Sequence, residues 1–229
     1  MPHQSPFHQM HLKSNAEMAE QNSWLVPLHY GDPQAELRAC RNSLAVFDLS
    51  HHSRVRVSGA GAKEFLTSIL TLDRGLPSSG RQMRLKLPEK LANPHSTVTL
   101  QHQAKDYLLI LEDVDHISWT SRLNDCSSSG WVDIQDETEA TAMISVQGPI
   151  ALSLVKEKLS IDIDDIQAND VITENMFFMK FILSLDDRNP PGINLILPAK
   201  IAPLAWDALQ KYGRDYDAQL AGVQAWQSL

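Results

Sequence analysis

A pattern of apolar and polar positions occurs twice along this chain. In the first copy, apolar and polar residues alternate from Val55 to Gly59, and apolar residues then recur every three or four positions up to Ile69. In the second copy, the alternating run Ile144–Gln147 gives way to the same spacing at Gly148. Alternation is typical of a strand, and spacing of three and four is typical of an amphipathic helix. Each copy therefore predicts a strand that turns at a glycine into a helix.

A second matching pair of segments follows each copy. Tyr107–Leu111 precedes a helical pattern that contains Trp119, and Ile193–Leu197 precedes one that contains Trp206. The repeat unit is therefore a strand–helix–strands–helix module with a period of about 88 residues, which is too long for a solenoid repeat and has the size of a small domain. We predict an α+β fold built from two similar modules, with both tryptophans in its core.

The pattern also predicts where each element lies. In the first module we expect strands at 54–58, 82–87, 97–102, 107–112 and 131–136 and helices at 60–71 and 114–124. In the second we expect strands at 142–147, 171–184 and 192–197 and helices at 149–159 and 201–212. Residues 1–33 contain several prolines and are predicted to be irregular. The predicted organisation is an N-terminal extension and helix packing on the second module (1–53), a first module (54–138) and a second module (139–229).

Composition and charge narrow the class of protein. The chain has 229 residues, 43% of them hydrophobic, so it can bury a sizeable core, and no apolar run is long enough for a membrane span. The formal net charge is −8 and no basic block is present, so we expect neither nucleic acid nor a membrane as a partner. The two cysteines, Cys40 and Cys126, fall in different parts of the chain, which predicts free thiols in a cytoplasmic protein.

Five segments, in order along nearly the whole chain, carry a family resemblance. They are Pro27–Tyr30, Phe47–His51, Val57–Gly59, Val146–Pro149 and Gly222–Leu229. Together they resemble the glycine-cleavage T-protein (aminomethyltransferase) family. The resemblance implies a folate-binding fold of two intertwined ferredoxin-like halves with pseudo-two-fold symmetry, followed in the family by a C-terminal β-barrel. It also implies tetrahydrofolate as the cofactor.

The resemblance identifies the position of the family's catalytic carboxylate. In those enzymes an aspartate on a strand near the folate steers proton movement at the carbon that is transferred. Ser96 and Thr97 occupy the family's aspartate positions in this chain. A hydroxyl cannot take up a proton at neutral pH as a carboxylate does, and its loss costs ~10²–10⁴ in rate. We therefore predict weak or no transferase activity and assign no catalytic residue.

Other folate-contacting positions of the family are also changed. Pro190 stands where the glutamate that holds the pterin belongs, and Trp226 replaces an arginine of a late helix. If a folate-sized cavity persists between the modules, its expected lining is Ser96, Val98, Glu112, Asp113, Asp187 and Asn194. Trp226 is a further expected cofactor-binding residue. Alternatively, Leu91 and the prolines at 190 and 191 fill that space. Tetrahydrofolate binding is expected to be weakened in either case.

Two functions remain open. The first is a diverged folate-binding aminomethyltransferase-like protein of one-carbon and glycine metabolism which, if active, would be a tetrahydrofolate-dependent aminomethyltransferase. The alternative is a barrel-less non-catalytic subunit, or a relative of the folate-binding proteins of iron–sulfur cluster assembly, that acts through protein interactions. The gamma subunit of heterotetrameric sarcosine oxidase has a barrel-less design of this kind. We expect a folate-like small molecule, and a protein partner or a missing C-terminal domain.

The remaining polar residues receive structural interpretations. His8 and His11 are three positions apart but have no third ligand nearby in sequence, so they are expected to lie in a solvated tail. His51 and His52 stand at the entry to the first strand, where a structural polar role is favoured over a proton shuttle. No metal site is predicted.

Overall fold

Three β-sheets and seven α-helices organise the part of the chain that the computed structural model describes, which is residues 1–70, 72, 75–89, 91, 96–112, 114–127, 130–159, 166–176, 179–186 and 188–229. The strands are β1 (His3–Gln4), β2 (Glu17–Gln21), β3 (Trp24–His29), β4 (Ala45–Asp48), β5 (Ser53–Ser58), β6 (Arg81–Lys86), β7 (Thr97–Gln103), β8 (Asp106–Leu111), β9 (Asp133–Asp136), β10 (Thr141–Gln147), β11 (Val171–Met176), β12 (Met179–Leu185), β13 (Gly192–Pro198) and β14 (Gln219–Ala221). The helices are α1 (His8–Lys13), α2 (Pro33–Asn42), α3 (Ala62–Leu70), α4 (His116–Cys126), α5 (Ala151–Leu159), α6 (Ala202–Gly213) and α7 (Val223–Trp226).

The two large sheets have corresponding strand orders. The first sheet has the order β6-β7-β8-β5-β9, and the second has the order β11-β12-β13-β10-β4-β14. In each sheet, the first three strands of the order are consecutive in the chain, and the fourth precedes them in the chain: β5 in the first sheet and β10 in the second. All neighbours among these four strands pair antiparallel. The α+β fold class predicted from the sequence is confirmed. β4, which precedes the whole first module, pairs with β10 in the second sheet, and β14 runs parallel beside β4.

The sheets lie between two layers of helices. Along β8, Leu109 and Leu111 belong to the core shared with α3 and α4, whereas Leu108 and Ile110 belong to the core shared with the second sheet. This alternation arises because successive side chains of a strand point to opposite faces. The outer face of the second sheet packs against α5 and α6. Trp119 and Trp206 are both fully buried in these outer cores, as the sequence predicts.

The N-terminal residues are ordered, which corrects the prediction that 1–33 is irregular. They form β1, α1 and a hairpin of β2 and β3, and the order in this N-terminal sheet is β1-β3-β2. Asn22 and Ser23 form the hairpin turn and both have positive φ, as a two-residue type I′ turn requires. β2 is largely polar, so its pattern gives no strand signal. Trp24 and Val26 of β3 are buried against Val223 of α7.

Two further features of the chain bear on its class. Cys40 is buried, Cys126 is exposed, and both are free thiols. Among the described residues, no helix has the length and apolar character that a membrane crossing demands. The predicted strand at 171–184 is a hairpin of β11 and β12, in which Val171 pairs with Ser184.

Candidate functional site

A polar cleft lies between the inner faces of the first and second sheets. Its inner part has a volume of about 30 Å³, and its outer part, beside α7, has a volume of about 390 Å³. We call these parts the inner cleft and the outer cleft. They adjoin each other, because five residues line both: His52, Arg84, Glu112, Arg188 and Trp226.

Strand alternation determines which residues of β7 reach this cleft. Thr99 and Gln101 line the inner cleft, whereas Val98 and Leu100 point to the opposite face, into the core under α3 and α4. Thr97 lies on the cleft side, and its hydroxyl accepts a hydrogen bond from Arg84 Nη2 at 3.3 Å. The inner face of the first sheet is therefore polar along β7. Across the cleft, the Ser184 hydroxyl of the second sheet accepts a hydrogen bond from Gln101 Nε2 at 3.2 Å.

Two arginines and a glutamate form an ion cluster where the inner cleft meets the outer cleft. Glu112 Oε1 lies 3.0 Å from Arg84 Nη2 and also accepts a hydrogen bond from Arg188. The Arg188 guanidinium lies 4.0 Å from the centroid of the Trp226 ring, a contact that contributes ~0.5–2 kcal/mol. Burial lowers the pKa of Arg188, partly offset by the charge of Glu112. These contacts hold Arg188 at the boundary between the two parts of the cleft.

Asp186 supplies a buried carboxylate to the inner cleft. It accepts hydrogen bonds from Gln147 Nε2 at 3.1 Å and from the backbone N–H of Arg188 at 3.2 Å. Burial raises the pKa of Asp186, and the charge of Arg188 and these hydrogen bonds act in the opposite direction. Gly192 leaves room for this arrangement, because a Cβ there would lie 2.0 Å from the side chain of Gln147.

His51 and His52 form a buried pair on the wall of the outer cleft. They are 4% and 2% exposed, and their rings meet edge to face with centroids 4.6 Å apart. Burial lowers the pKa of His51 to about 4 and that of His52 well below its ordinary value, and Arg54 acts in the same direction on both. Both rings are therefore neutral at pH 7, so they offer hydrogen bonds but no charge. Their burial agrees with the structural polar role expected from the sequence.

The structure brings three of the residues predicted to bind the cofactor to the cleft. Glu112 and Trp226 line both parts of the cleft, and Asn194 lines the inner cleft. Asn194 Nδ2 lies 3.4 Å from Asp186 Oδ2, which connects it to the buried carboxylate.

Of the other predicted lining residues, the structure describes Ser96 and Val98, and neither lines the cleft. Val98 lies in the core of the first sheet, and the backbone carbonyl of buried Ser96 accepts a hydrogen bond from Leu87 N–H. Leu91, expected in the alternative to fill the cavity, also packs in the core of the first sheet. Asp113 and Asp187 lie outside the residues that the structure describes.

Sequence reasoning missed the two arginines of the cleft. Arg84 is a polar position of β6 and carries no motif, and Arg188 follows the end of β12 in a loop that the resemblance compares with the family's pterin loop. Asp186 and Arg188 are two residues apart directly after the end of β12. This spacing could have predicted that both side chains lie in the cleft.

A second polar cluster joins the N-terminal residues to the second sheet. His11 is fully buried, with Nε2 2.8 Å from Asp48 Oδ2 and Nδ1 2.7 Å from the Tyr30 hydroxyl. Burial acts to raise the pKa of Asp48, but hydrogen bonds and charge from His11, with Ser5 and Ser50, outweigh it and hold that pKa at about 2. The prediction that His8 and His11 lie in a solvated tail is therefore wrong. His11 and Asp48 are both buried and satisfy each other, so we assign this cluster a structural role.

Comparison with known proteins adds to this geometry. An aminomethyltransferase from Deinococcus deserti is 25% identical over 212 residues, which cover 91% of this chain and 59% of that protein. An aminomethyltransferase from Corynebacterium aurimucosum is 27% identical over 233 residues, which cover 98% of this chain and 62% of that protein. The chain thus spans about three fifths of the length of these relatives.

Two solved structures have similar folds. The glycine cleavage system aminomethyltransferase T from Bartonella henselae superposes with a TM-score of 0.85 at 18% identity, covering 98% of this chain and 61% of that one. A chain of heterotetrameric sarcosine oxidase from Corynebacterium sp. U-96 superposes with a TM-score of 0.57 at 14% identity, covering 91% of this chain and 95% of that one. At these identities the similarity shows the fold alone.

A family model covers nearly the entire sequence. The model described as the GCVT N-terminal domain matches residues 7–229, which include both large sheets and the cleft between them. The resemblance drawn from short segments of the sequence is thereby confirmed. The chain belongs to the GCVT N-terminal domain family.

Proposed function

We propose that this chain is a cytoplasmic, folate-binding-type member of the family in which aminomethyl transfer is weak or absent. The observation that carries this proposal is the ion cluster of Arg84, Glu112 and Arg188 at the boundary of the inner cleft. The polar groups that a ligand in the inner cleft would need are already paired with one another there.

The volumes of the two parts support a ligand in the outer cleft only. The inner cleft, at about 30 Å³, has room for roughly two water molecules. The outer cleft, at about 390 Å³, falls within the ~300–1,000 Å³ range of small-molecule sites. Arg84 and Arg188 share the single carboxylate of Glu112, and because each guanidinium has five N–H donors, donors remain for a carboxylate-bearing ligand in the outer cleft. Trp226 and the neutral pair His51 and His52 add flat surfaces beside them. These features suit a folate-like molecule that is held by its acidic part.

The groups near the expected catalytic position support the loss of transfer. Thr97, which stands at one of the family's aspartate positions, offers a hydroxyl that accepts from Arg84 and cannot act as a base at neutral pH. Asp186 is the carboxylate deepest in the described cleft, and it is engaged by Gln147 and Arg188. Thr97 therefore cannot replace the family's aspartate as a proton acceptor.

Two measurements test the proposal. Isothermal titration with tetrahydrofolate and its 5-formyl analogue should give binding that Arg84→Gln weakens by about tenfold or more, while Arg38→Gln, at an exposed ion pair with Asp32, leaves it unchanged. Ammonia release from an aminomethyl-loaded carrier protein should be absent. Turnover within about tenfold of an active aminomethyltransferase would contradict the loss of transfer, because the missing carboxylate accounts for ~10²–10⁴ in rate.

A second candidate function is that of a non-catalytic subunit. The observation that favours it is the similar fold of a chain of comparable length in heterotetrameric sarcosine oxidase. This candidate predicts no heat with either folate at millimolar concentration, and a native complex larger than the 25.6 kDa chain in analytical ultracentrifugation of the protein from its source. A monomer that binds folate would leave only the first proposal.

A further inference from the structure

A cluster of two histidines and a glutamate lies away from the cleft, where three separate parts of the chain meet. His3 comes from β1, His116 is the first residue of α4, and Glu139 lies in the turn between β9 and β10. Each side chain offers one ligand atom, and the three atoms lie within 4.8 Å of one another. No other group of three His, Cys, Asp or Glu side chains among the described residues has this arrangement.

The separations are close to those that one metal ion would impose. Ligand atoms bound about 2.0–2.2 Å from a tetrahedral ion are about 3.4 Å apart. His3 Nδ1 lies 3.4 Å from Glu139 Oε1, and His116 Nε2 lies 3.9 Å from the same oxygen. The two imidazole nitrogens lie within 4.8 Å of each other, so small adjustments of the His3 and Glu139 side chains, which are 30% and 61% exposed, would bring the set to a common centre.

His116 is already oriented as a metal-binding histidine is. Its Nδ1 lies 2.6 Å from Asp136 Oδ2, and because an ionised carboxylate only accepts, Nδ1 carries the proton and donates it. The ring is 3% exposed, and its Nε2 is buried without a hydrogen-bond partner. A carboxylate that fixes the tautomer of a histidine and directs its other nitrogen to an ion is a recurrent arrangement at metal sites. The Nε2 atom of His116 faces Glu139 but lies 3.9 Å from its carboxylate, too far for a hydrogen bond. An ion pair between these two residues therefore leaves this buried nitrogen without a partner, whereas a bound metal ion would supply one.

The three positions are held by fixed backbone. His3 pairs in register with Trp24 of β3, and the two rings are 5.1 Å apart. The turn that carries Glu139 is held by Arg54, whose guanidinium donates to the carbonyl of Thr138 at 2.5 Å. The site would therefore form with little rearrangement of the fold.

We propose that His3, His116 and Glu139 bind a divalent transition metal ion, with zinc as the expected occupant, and that Asp136 is a positioning residue. Two imidazoles and one carboxylate are a ligand set that zinc accepts, with a water completing the tetrahedron. Calcium and magnesium prefer oxygen ligands, so two histidines disfavour them. An ion here would join the N-terminal strand β1 to the first module and to the segment that leads into the second, and would stabilise the fold by linkage.

The test uses the full chain without a histidine tag, treated with a chelator and then titrated with Zn²⁺ by calorimetry. One equivalent should bind and raise the melting temperature, and Co²⁺ should give the visible absorption of a four-coordinate ion. Glu139→Gln and His3→Ala should each weaken binding by about 100-fold, and Asp136→Asn by about 10–100-fold. The matched control is His29→Ala, which removes another histidine of the N-terminal sheet that pairs with a glutamate, Glu17, at 3.3 Å.

Two outcomes would overturn the proposal. The first is an absence of heat and of Co²⁺ absorption at millimolar metal, which would make the cluster a hydrogen-bonded ion pair network. The second is binding that persists undiminished in both His3→Ala and Glu139→Gln, which would place the metal on other side chains. Both variants alter residues that are at least partly exposed, so the comparison does not depend on replacing buried His116.

Discussion

Acid should destabilise the protein through the histidine pair on the wall of the cleft. Burial lowers the pKa of His51 to about 4, although the nearby charge of Asp48 opposes this. As the pH falls from the ordinary value of 6.5 toward 4, the unfolded chain takes up a proton that the folded chain does not. The free energy of unfolding therefore decreases in this window. At ~1.36 kcal/mol per pKa unit, the loss from His51 alone is about 2 kcal/mol between pH 7 and pH 5.

The assay compares urea unfolding of the wild type and His51→Gln at pH 7 and pH 5. Glutamine retains hydrogen-bonding capacity but does not titrate, so the decrease in the free energy of unfolding should be about 2 kcal/mol smaller in the variant. His116 acts in the opposite direction: its hydrogen bond to Asp136 raises its pKa, and that contribution is present at low pH and is lost as the pH rises. Because it is common to both proteins, it cancels in the comparison.

His102→Gln, at a half-buried histidine of β7, controls for the removal of a histidine as such. An equal decrease between pH 7 and pH 5 in the wild type and in His51→Gln would refute the reasoning. It would mean that the His51 ring is protonated in the folded protein, or that water reaches it.

Two further substitutions test the packing around the second sheet. His11→Ala should lower the free energy of unfolding by about 3–5 kcal/mol, because it leaves the buried carboxylate of Asp48 without its partner. His8→Ala, on the same helix, should lower it by less than about 1 kcal/mol. Equal decreases of the two variants in urea unfolding would contradict this. Gly148→Ala should destabilise the protein far more than Gly31→Ala, although both glycines have positive φ. A Cβ at position 148 would lie 2.3 Å from the carbonyl oxygen of Ser43, whereas a Cβ at position 31 would have no atom within 4 Å. Similar losses in melting temperature would show that backbone strain, not contact, decides.

The helices of both modules could be predicted from the sequence because each buries one face. β8 could be predicted because its residues form an unbroken apolar run that is buried on both faces. The predicted helix at 149–159 begins two residues before α5, and the strand predicted at 107–112 is shifted by one residue from β8. The N-terminal hairpin could not be predicted from periodicity, because β2 packs little apolar surface. Asn22 and Ser23 both have positive φ in the hairpin turn, and the pair Asn-Ser is the one local feature of the sequence that indicates this turn.

The cleft was harder to predict because it depends on which face of each strand points inward. The expectation at β7 placed Val98 toward the ligand, yet its neighbours Thr97 and Thr99 occupy that side. An error of one residue reverses the face of a strand. The arginines Arg84 and Arg188 meet at Glu112 from distant parts of the chain, and no local pattern reveals such a meeting.

The position of β4 and β14 in the second sheet has a consequence for how the chain folds. The first sheet draws only on residues 53–136, so all its strands are available once that stretch has been synthesised. The second sheet takes β4 from before the first module and β14 from near Leu229, and these two lie side by side. Its completion therefore requires contacts between distant parts of the chain, which slows folding. Until β4 pairs, β10 has an exposed edge, and a shortened chain that lacks β4 would aggregate through that strand.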